Sequence, residues 1–107
     1  MSYQETNFSD LHKIKNCINK NTKAILLETP TNPTMKVYDI HEISKICKQH
    51  NVMLIVDNTT AMQVSTSAFE LGADIVWYSC SKFIGGHSDA MAGCVLTNDK
   101  ELSDRLY

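Results

Sequence analysis

A chain of 107 residues, 43% hydrophobic and 21% charged, can bury one core but not two, and its balance excludes collagen-like, coiled-coil and disordered classes. A formal charge of -2 leaves no basic footprint for phosphate-backbone binding, so nucleic acid is excluded as a partner. Cys17, Cys47, Cys80 and Cys94 lie far apart, with no CxxC pair and no histidine at ligand spacing; this argues against a zinc site or a redox dithiol and for a reducing compartment. The polar opening MSYQETNFSD has no apolar core of a leader, and no run approaches the roughly 20 apolar residues of a membrane helix. A soluble, cytoplasmic protein with no membrane partner is expected.

Leu11, Ile14, Cys17 and Ile18 recur at helical spacing behind Ser9 and Asp10, predicting a capped helix over about 9–20. Ala24 to Leu27 is a short apolar run, a strand, and it feeds the TPTNP segment whose two prolines forbid regular structure. Asp39 and Glu42 form a D-x-x-E capping signature before Ile40, Ile43, Ile46 and Cys47, so a second helix runs about 39–50, closed by Asn51 in a left-handed conformation. Val52 to Val56 is continuously apolar, which fits a strand covered on both faces of a parallel sheet. Phe69, Leu71 and Gly72 predict a short helix with a glycine cap, and Ile75 to Tyr78 a third strand. Ala92 to Thr97 is a fourth strand, followed by a helix opened by Asn98 and Glu101. Residues 80–91 lack helical periodicity and are barely long enough for a parallel crossover, so the fourth strand is expected to be antiparallel. The fold class is α/β: three parallel strands with intervening helices plus an antiparallel fourth.

Open parallel sheets bind ligands beyond the carboxyl ends of their strands. The first strand delivers Glu28 and then Asn32 to that edge, the second Asp57, Asn58 and Thr59, the third Ser79, Ser81 and Lys82. Each alone has a plainer reading: Asp57 as a loop hydrogen-bonder, Lys82 as a solvated amine, Gly85-Gly86 as a simple turn. Together an acid, an amide, hydroxyls and an amine at one edge suit an aldehyde bearing a phosphate, provided the lysine's surroundings favour its neutral form.

ETPTNP (28–33), VDNT (56–59), LGADI (71–75) and YSCSKFIGGHSD (78–89) resemble, in order and spacing, the Cys/Met metabolism family of pyridoxal 5'-phosphate (PLP) enzymes, the trans-sulfuration family, over about residue 9 to the end. The resemblance implies that 1–107 is part of a fold-type I large domain, incomplete at both ends, and that Lys82 forms a Schiff base with PLP and later moves protons at the substrate's α and β carbons. It implies that Asp57 faces the pyridine nitrogen, Asn32 bonds the phenolic oxygen, Glu28 holds the loop, Thr59 lies against the ring, and Ser79 and Ser81 offer hydroxyls to the phosphate. It also implies a sulfur-containing amino acid as substrate, and a homo-oligomer, a tetramer, for the full-length form. Thr60 stands where the family often has an aromatic residue, and Cys80-Ser81 where it commonly has Ala-Thr. Cys80 reads most simply as a small packed residue, His87 and Asp89 as loop-ordering residues, and His12, His41 and His50 as surface positions. The resemblance and the modest preference of X-Pro bonds for trans together predict a cis bond at Thr29-Pro30, Asn32-Pro33 or both, turning Asn32 inward. Glu28, Asp57 and Lys82 are expected at one edge of the sheet, with Asp57 and Lys82 flanking a common cavity.

Overall fold

The computed structural model describes residues 2–106. Helix α1 is Leu11–Cys17. Asp10 alone caps it, its carboxylate accepting the N–H of His12 at 3.0 Å and of Lys13 at 3.2 Å. The helix falls short of the expected 9–20 because Ile18 is already extended, and beyond it Asn19 and Thr22 bond to each other: Asn19 N–H donates to Thr22 Oγ1 at 3.0 Å and Thr22 N–H to Asn19 O at 2.9 Å. Local side-chain bonding there displaces another helical turn.

Strand β1, Ala24–Glu28, leads through the proline loop to helix α2, Ile40–Gln49. Asp39 caps α2 by accepting the Glu42 N–H at 3.0 Å, while the Glu42 carboxylate pairs with Lys45 at 2.6 Å. Asn51 closes the segment at φ 53, as expected. Strand β2, Met53–Asp57, is followed by a four-residue helix α3, Met62–Ser65, then by β3, Ile75–Tyr78, β4, Cys94–Thr97, and helix α4, Lys100–Leu106. Asp99, not Asn98, caps α4, accepting the Leu102 N–H at 2.9 Å.

The sheet order is β1-β2-β3-β4. The first three strands are parallel, Glu28 level with Asp57 and Asp57 with Trp77, and β4 runs antiparallel with Cys94 beside Tyr78. Side chains alternate between faces along each strand, so Leu27, Val56 and Val76 share one face, and there they join Ile14 of α1 and Ile40, Ile43, Ile46 and Cys47 of α2 in one buried cluster. The other face carries Leu26, Ile55, Asp57, Trp77 and Val95. Leu26 and Val95 are 53% and 51% exposed. The expected covering of β2 on both faces is therefore corrected: α1 and α2 both contribute to the one cluster, and Ile55 on the opposite face stays only half-buried.

The helix expected around Phe69 is a single turn. Gly72, at φ 102, donates its N–H to Phe69 O at 3.0 Å, and Ala73 donates to Ala68 O at 3.0 Å, the paired bonds of a glycine-closed helix end. The helix of this crossover lies earlier instead, in α3, where Met62 N–H donates to Asn58 O at 2.8 Å.

Candidate functional site

The proline loop, the ends of β2 and β3, and the turn after β3 meet at the carboxyl edge of the parallel strands. Both Thr29-Pro30 and Asn32-Pro33 are cis. Thr29 is buried, and its Oγ1 accepts the Tyr38 N–H at 2.9 Å, tying the far end of the loop to the end of β1. Thr31 accepts the Lys36 N–H at 3.0 Å and shares a 2.7 Å bond with Thr34. These threonines hold the loop; among the described residues the Glu28 carboxylate makes no hydrogen bond, and Asn32 stands exposed rather than turned inward.

Asp57 is half-buried, its Oδ1 accepting the Thr59 N–H at 3.0 Å. Thr59 Oγ1 in turn accepts the Ser79 N–H at 2.9 Å. That pair of bonds fixes the end of β2 against the end of β3, so Asp57 and Ser79 keep a set separation. Asn58 between them is fully buried: its Nδ2 donates to Thr66 O at 2.9 Å and to Tyr78 Oη at 3.0 Å, and the Tyr78 hydroxyl donates to Gln63 Oε1 at 3.1 Å. This network ties β2, α3 and β3 together beneath the edge. Asn58, expected among the polar residues at the strand-end edge, is instead turned into the core, because a polar side chain directly after a buried strand finds its partners there; the sequence marks Tyr78 only as a strand residue.

Past Tyr78 the chain turns back on itself. Lys82 N–H donates to Ser79 O at 3.1 Å, Gly85 N–H to Cys80 O at 2.8 Å, and Gly86 N–H to Lys82 O at 2.7 Å, Gly86 lying at φ 73. Ser81 Oγ donates to Ala92 O at 3.2 Å and accepts the Ala92 N–H at 2.8 Å, so its hydroxyl proton is already engaged. His87 Nδ1 lies 2.8 Å from Gly85 O, a loop-ordering contact. His12, His41 and His50 are exposed, as expected.

Glu28 and Asp57 stand level in the register and Lys82 lies in the turn just beyond β3, so all three occupy one edge. A shallow depression of about 330 Å³ is lined by Asp57, Trp77, Tyr78, Ser79, Gly93 and Cys94 among others. Lys82 is not part of its lining; the amine is exposed and has no acid within ion-pair distance among the described residues. The expected cavity flanked by Asp57 and Lys82 is therefore not formed: the depression is lined by Asp57 and Ser79, while Lys82, in the turn beyond β3, lies outside its lining.

An α/β sheet whose parallel strands deliver an acid, hydroxyls and an amine beyond their carboxyl ends has the layout of the α/β class that binds ligands at that edge. More narrowly, the chain belongs to the Cys/Met metabolism PLP-dependent enzyme family, whose sequence model matches residues 1–107. The family implies PLP as cofactor. The chain is 43% identical over 107 residues to the cystathionine γ-synthase/O-acetylhomoserine (thiol)-lyase of Bacillus subtilis, covering 100% of the chain and 29% of that relative. It is 47% identical over 104 residues to a cystathionine β-lyase of Lactococcus lactis, covering 97% and 27%. A crystal structure of cystathionine γ-lyase from Lactobacillus plantarum complexed with L-serine superposes with a TM-score of 0.96 at 39% identity, over 99% of this chain and 28% of that one. The chain therefore spans 27% to 29% of the length of these two curated relatives.

Proposed function

We propose that the chain is the cofactor-anchoring segment of a PLP-dependent carbon–sulfur lyase or γ-replacement enzyme acting on sulfur-containing amino acids, of the cystathionine γ-lyase type. The observation that carries this reading is the convergence of Asp57, Ser79 and Lys82 on one sheet edge, with Asp57 and Ser79 held at fixed separation through Thr59. The donor set fits the cofactor: a carboxylate for a ring nitrogen, hydroxyls for a phosphate, an amine for an aldehyde. When bound, PLP supplies an electron sink for negative charge developing at the substrate's Cα.

In this reading Lys82 Nζ would hold the cofactor and afterwards carry protons to and from the substrate's α and β carbons. The Asp57 carboxylate, oriented by the Thr59 N–H on its Oδ1, would keep a proton on the ring nitrogen. Thr59 would pack against the ring, and Asn32, exposed in this structure, would have to turn inward to reach its phenolic oxygen. A phosphate needs donors; Ser79 offers one directly, whereas Ser81 must first release Ala92 O. A second reading, a catalytically inactive remnant that at most binds PLP or a full-length relative, is favoured by the exposure of Lys82 outside the Asp57 depression.

Adding PLP to the purified chain, trapping with borohydride and mapping the labelled lysines tests the anchoring role. Label should concentrate on Lys82, vanish from that peptide in Lys82→Ala, and persist in Asp57→Asn. Labelling no heavier at Lys82 than at the exposed Lys36 or Lys45 would sink the assignment. Release of α-keto acid from cystathionine then separates enzyme from remnant.

A further inference from the structure

Two thiols distant in sequence are brought together beside the Lys82 turn. Cys94 opens β4 directly opposite Tyr78, and Cys80 follows Tyr78 by two positions. The two strands stay in contact past the end of β3, since Ser81 N–H donates to Ala92 O at 3.1 Å. Regular continuation of the register would set Ser81 opposite Met91; the bond to Ala92 instead slips the pairing by one residue, which sets Cys80 beside Gly93, the neighbour of Cys94. Both cysteines pack against the same core cluster, and both are half-exposed. Cys47, by contrast, is buried.

We propose that Cys80 and Cys94 form a reversible dithiol site that reacts with low-molecular-weight disulfides of the glutathione class and closes to a cross-strand bond. In the first step the Cys80 thiolate attacks one sulfur of the small disulfide; a Cys80 mixed disulfide forms and one small thiolate leaves, taking up the proton Cys80 gave. In the second, Cys94 loses its proton to the other leaving thiolate as its sulfur attacks Cys80 Sγ. Two protein thiols are oxidised, one small disulfide is reduced to two thiols, and both protons end on those thiols. Burial raises the pKa of the Cys94 thiol and the neighbouring Cys80 thiol raises it further, which suits Cys94 to the second step.

A disulfide usually spans roughly 4.4–6.8 Å between Cα atoms, and closing one here would tie the turn that carries Lys82 to the start of β4. A disulfide formed between half-exposed thiols is readily reduced, the property of regulatory rather than structural disulfides, and intracellular disulfides are usually of that transient kind. CxxC spacing is blind to this pair because the strand register, not the sequence interval, brings the thiols together.

The test uses the chain without cofactor, at dilution, exposed to oxidised glutathione and then alkylated and digested with trypsin. Lys82 lies between the two cysteines, and all four cysteines fall on separate tryptic peptides. The expected product is peptide 49–82 joined to peptide 83–100 within a monomer, reversed by dithiothreitol, with loss of two free thiols. In Cys94→Ser the glutathione should remain on Cys80. Separate glutathione adducts on Cys80 and Cys94 with no joined peptide would overturn the proposal, as would joined peptides that pair Cys17 or Cys47 as often. Pyridoxal labelling of Lys82 should be several-fold slower in the oxidised chain. This last readout alone rests on the cofactor reading; equal labelling in both forms would refute the coupling to Lys82.

Discussion

Gly72, in the LGADI motif, is placed to fail when it gains a single carbon. A Cβ there would meet Ser44 Oγ at 2.5 Å and Ser44 Cβ at 2.9 Å, and Ser44 is buried in α2 with its hydroxyl donating to His41 O at 2.8 Å. The backbone stands at φ 102, so Gly72→Ala carries two costs: a strained conformation, roughly 1–3 kcal/mol, and overpacking of the α2 contact, roughly 1–3 kcal/mol. Their sum, about 2–6 kcal/mol, is a large fraction of the roughly 5–15 kcal/mol that holds an ordinary domain. Ser44→Gly isolates the second cost. Alone it should destabilise by about 1 kcal/mol for a helical glycine, but combined with Gly72→Ala it should restore the overpacking part, a coupling of about 1–3 kcal/mol. Urea unfolding of the four variants followed by circular dichroism gives the cycle. A loss below about 0.5 kcal/mol for Gly72→Ala, or strict additivity in the double variant, would refute the reasoning.

Asp74 continues the ladder below β3: its N–H donates to Leu54 O at 2.9 Å and its Oδ2 accepts the Leu54 N–H at 2.8 Å. Asp74→Ala should leave that N–H unpaired and cost about 1–3 kcal/mol, measured by urea unfolding; no change would mean the N–H had found water. Burial, then the Asp74 charge, pushes the Cys47 thiol up from 9.0 to about 11. Because the folded value is raised, this contribution is complete below pH 9 and is lost as pH rises toward 11, on the order of 2 kcal/mol. Unfolding curves between pH 8 and 10.5 should show that fall and a flatter profile in Cys47→Ala; parallel profiles would count against it. Tyr78→Phe removes the acceptor of Asn58 and the donor to Gln63 without changing volume, and should cost about 1–2 kcal/mol by the same unfolding assay, unchanged stability being the adverse result.

The parallel order of the first three strands was legible because each is a short apolar run ended by polar residues. The reversal of β4 was legible because the stretch before it could not house a crossover helix. Asp39 and Asn51 behaved as their positions imply, since caps are local. Readings that depended on long-range partners fared less well. Phe69 and Leu71 carry apolar spacing but only one turn forms, whereas α3 forms around the exposed Val64, anchored by Asn58 from the end of β2. At the site, Asp57, Ser79 and Lys82 could be assigned to one edge from strand ends alone. That Thr29 rather than Glu28 holds the proline loop could not, because its partner Tyr38 lies on the far side of the loop. The closeness of Cys80 and Cys94 was hidden for the same reason, being set by register.

The sheet's two faces also bear on the chemistry. Glu28 and Asp57 stand level with each other and with Trp77, on the face that carries exposed Leu26 and Val95, not on the face packed against α1 and α2. The depression beside Asp57 opens among Trp77, Val95 and the start of β4, so the carboxylate sits at the border between that apolar face and the strand-end edge. A carboxylate's hold on a protonated ring nitrogen weakens with the local dielectric: at 4 Å the attraction is about 1 kcal/mol in water and about 4 kcal/mol at an effective dielectric near 20. Covering Leu26, Trp77 and Val95 would therefore bury apolar surface and strengthen Asp57 in the same act.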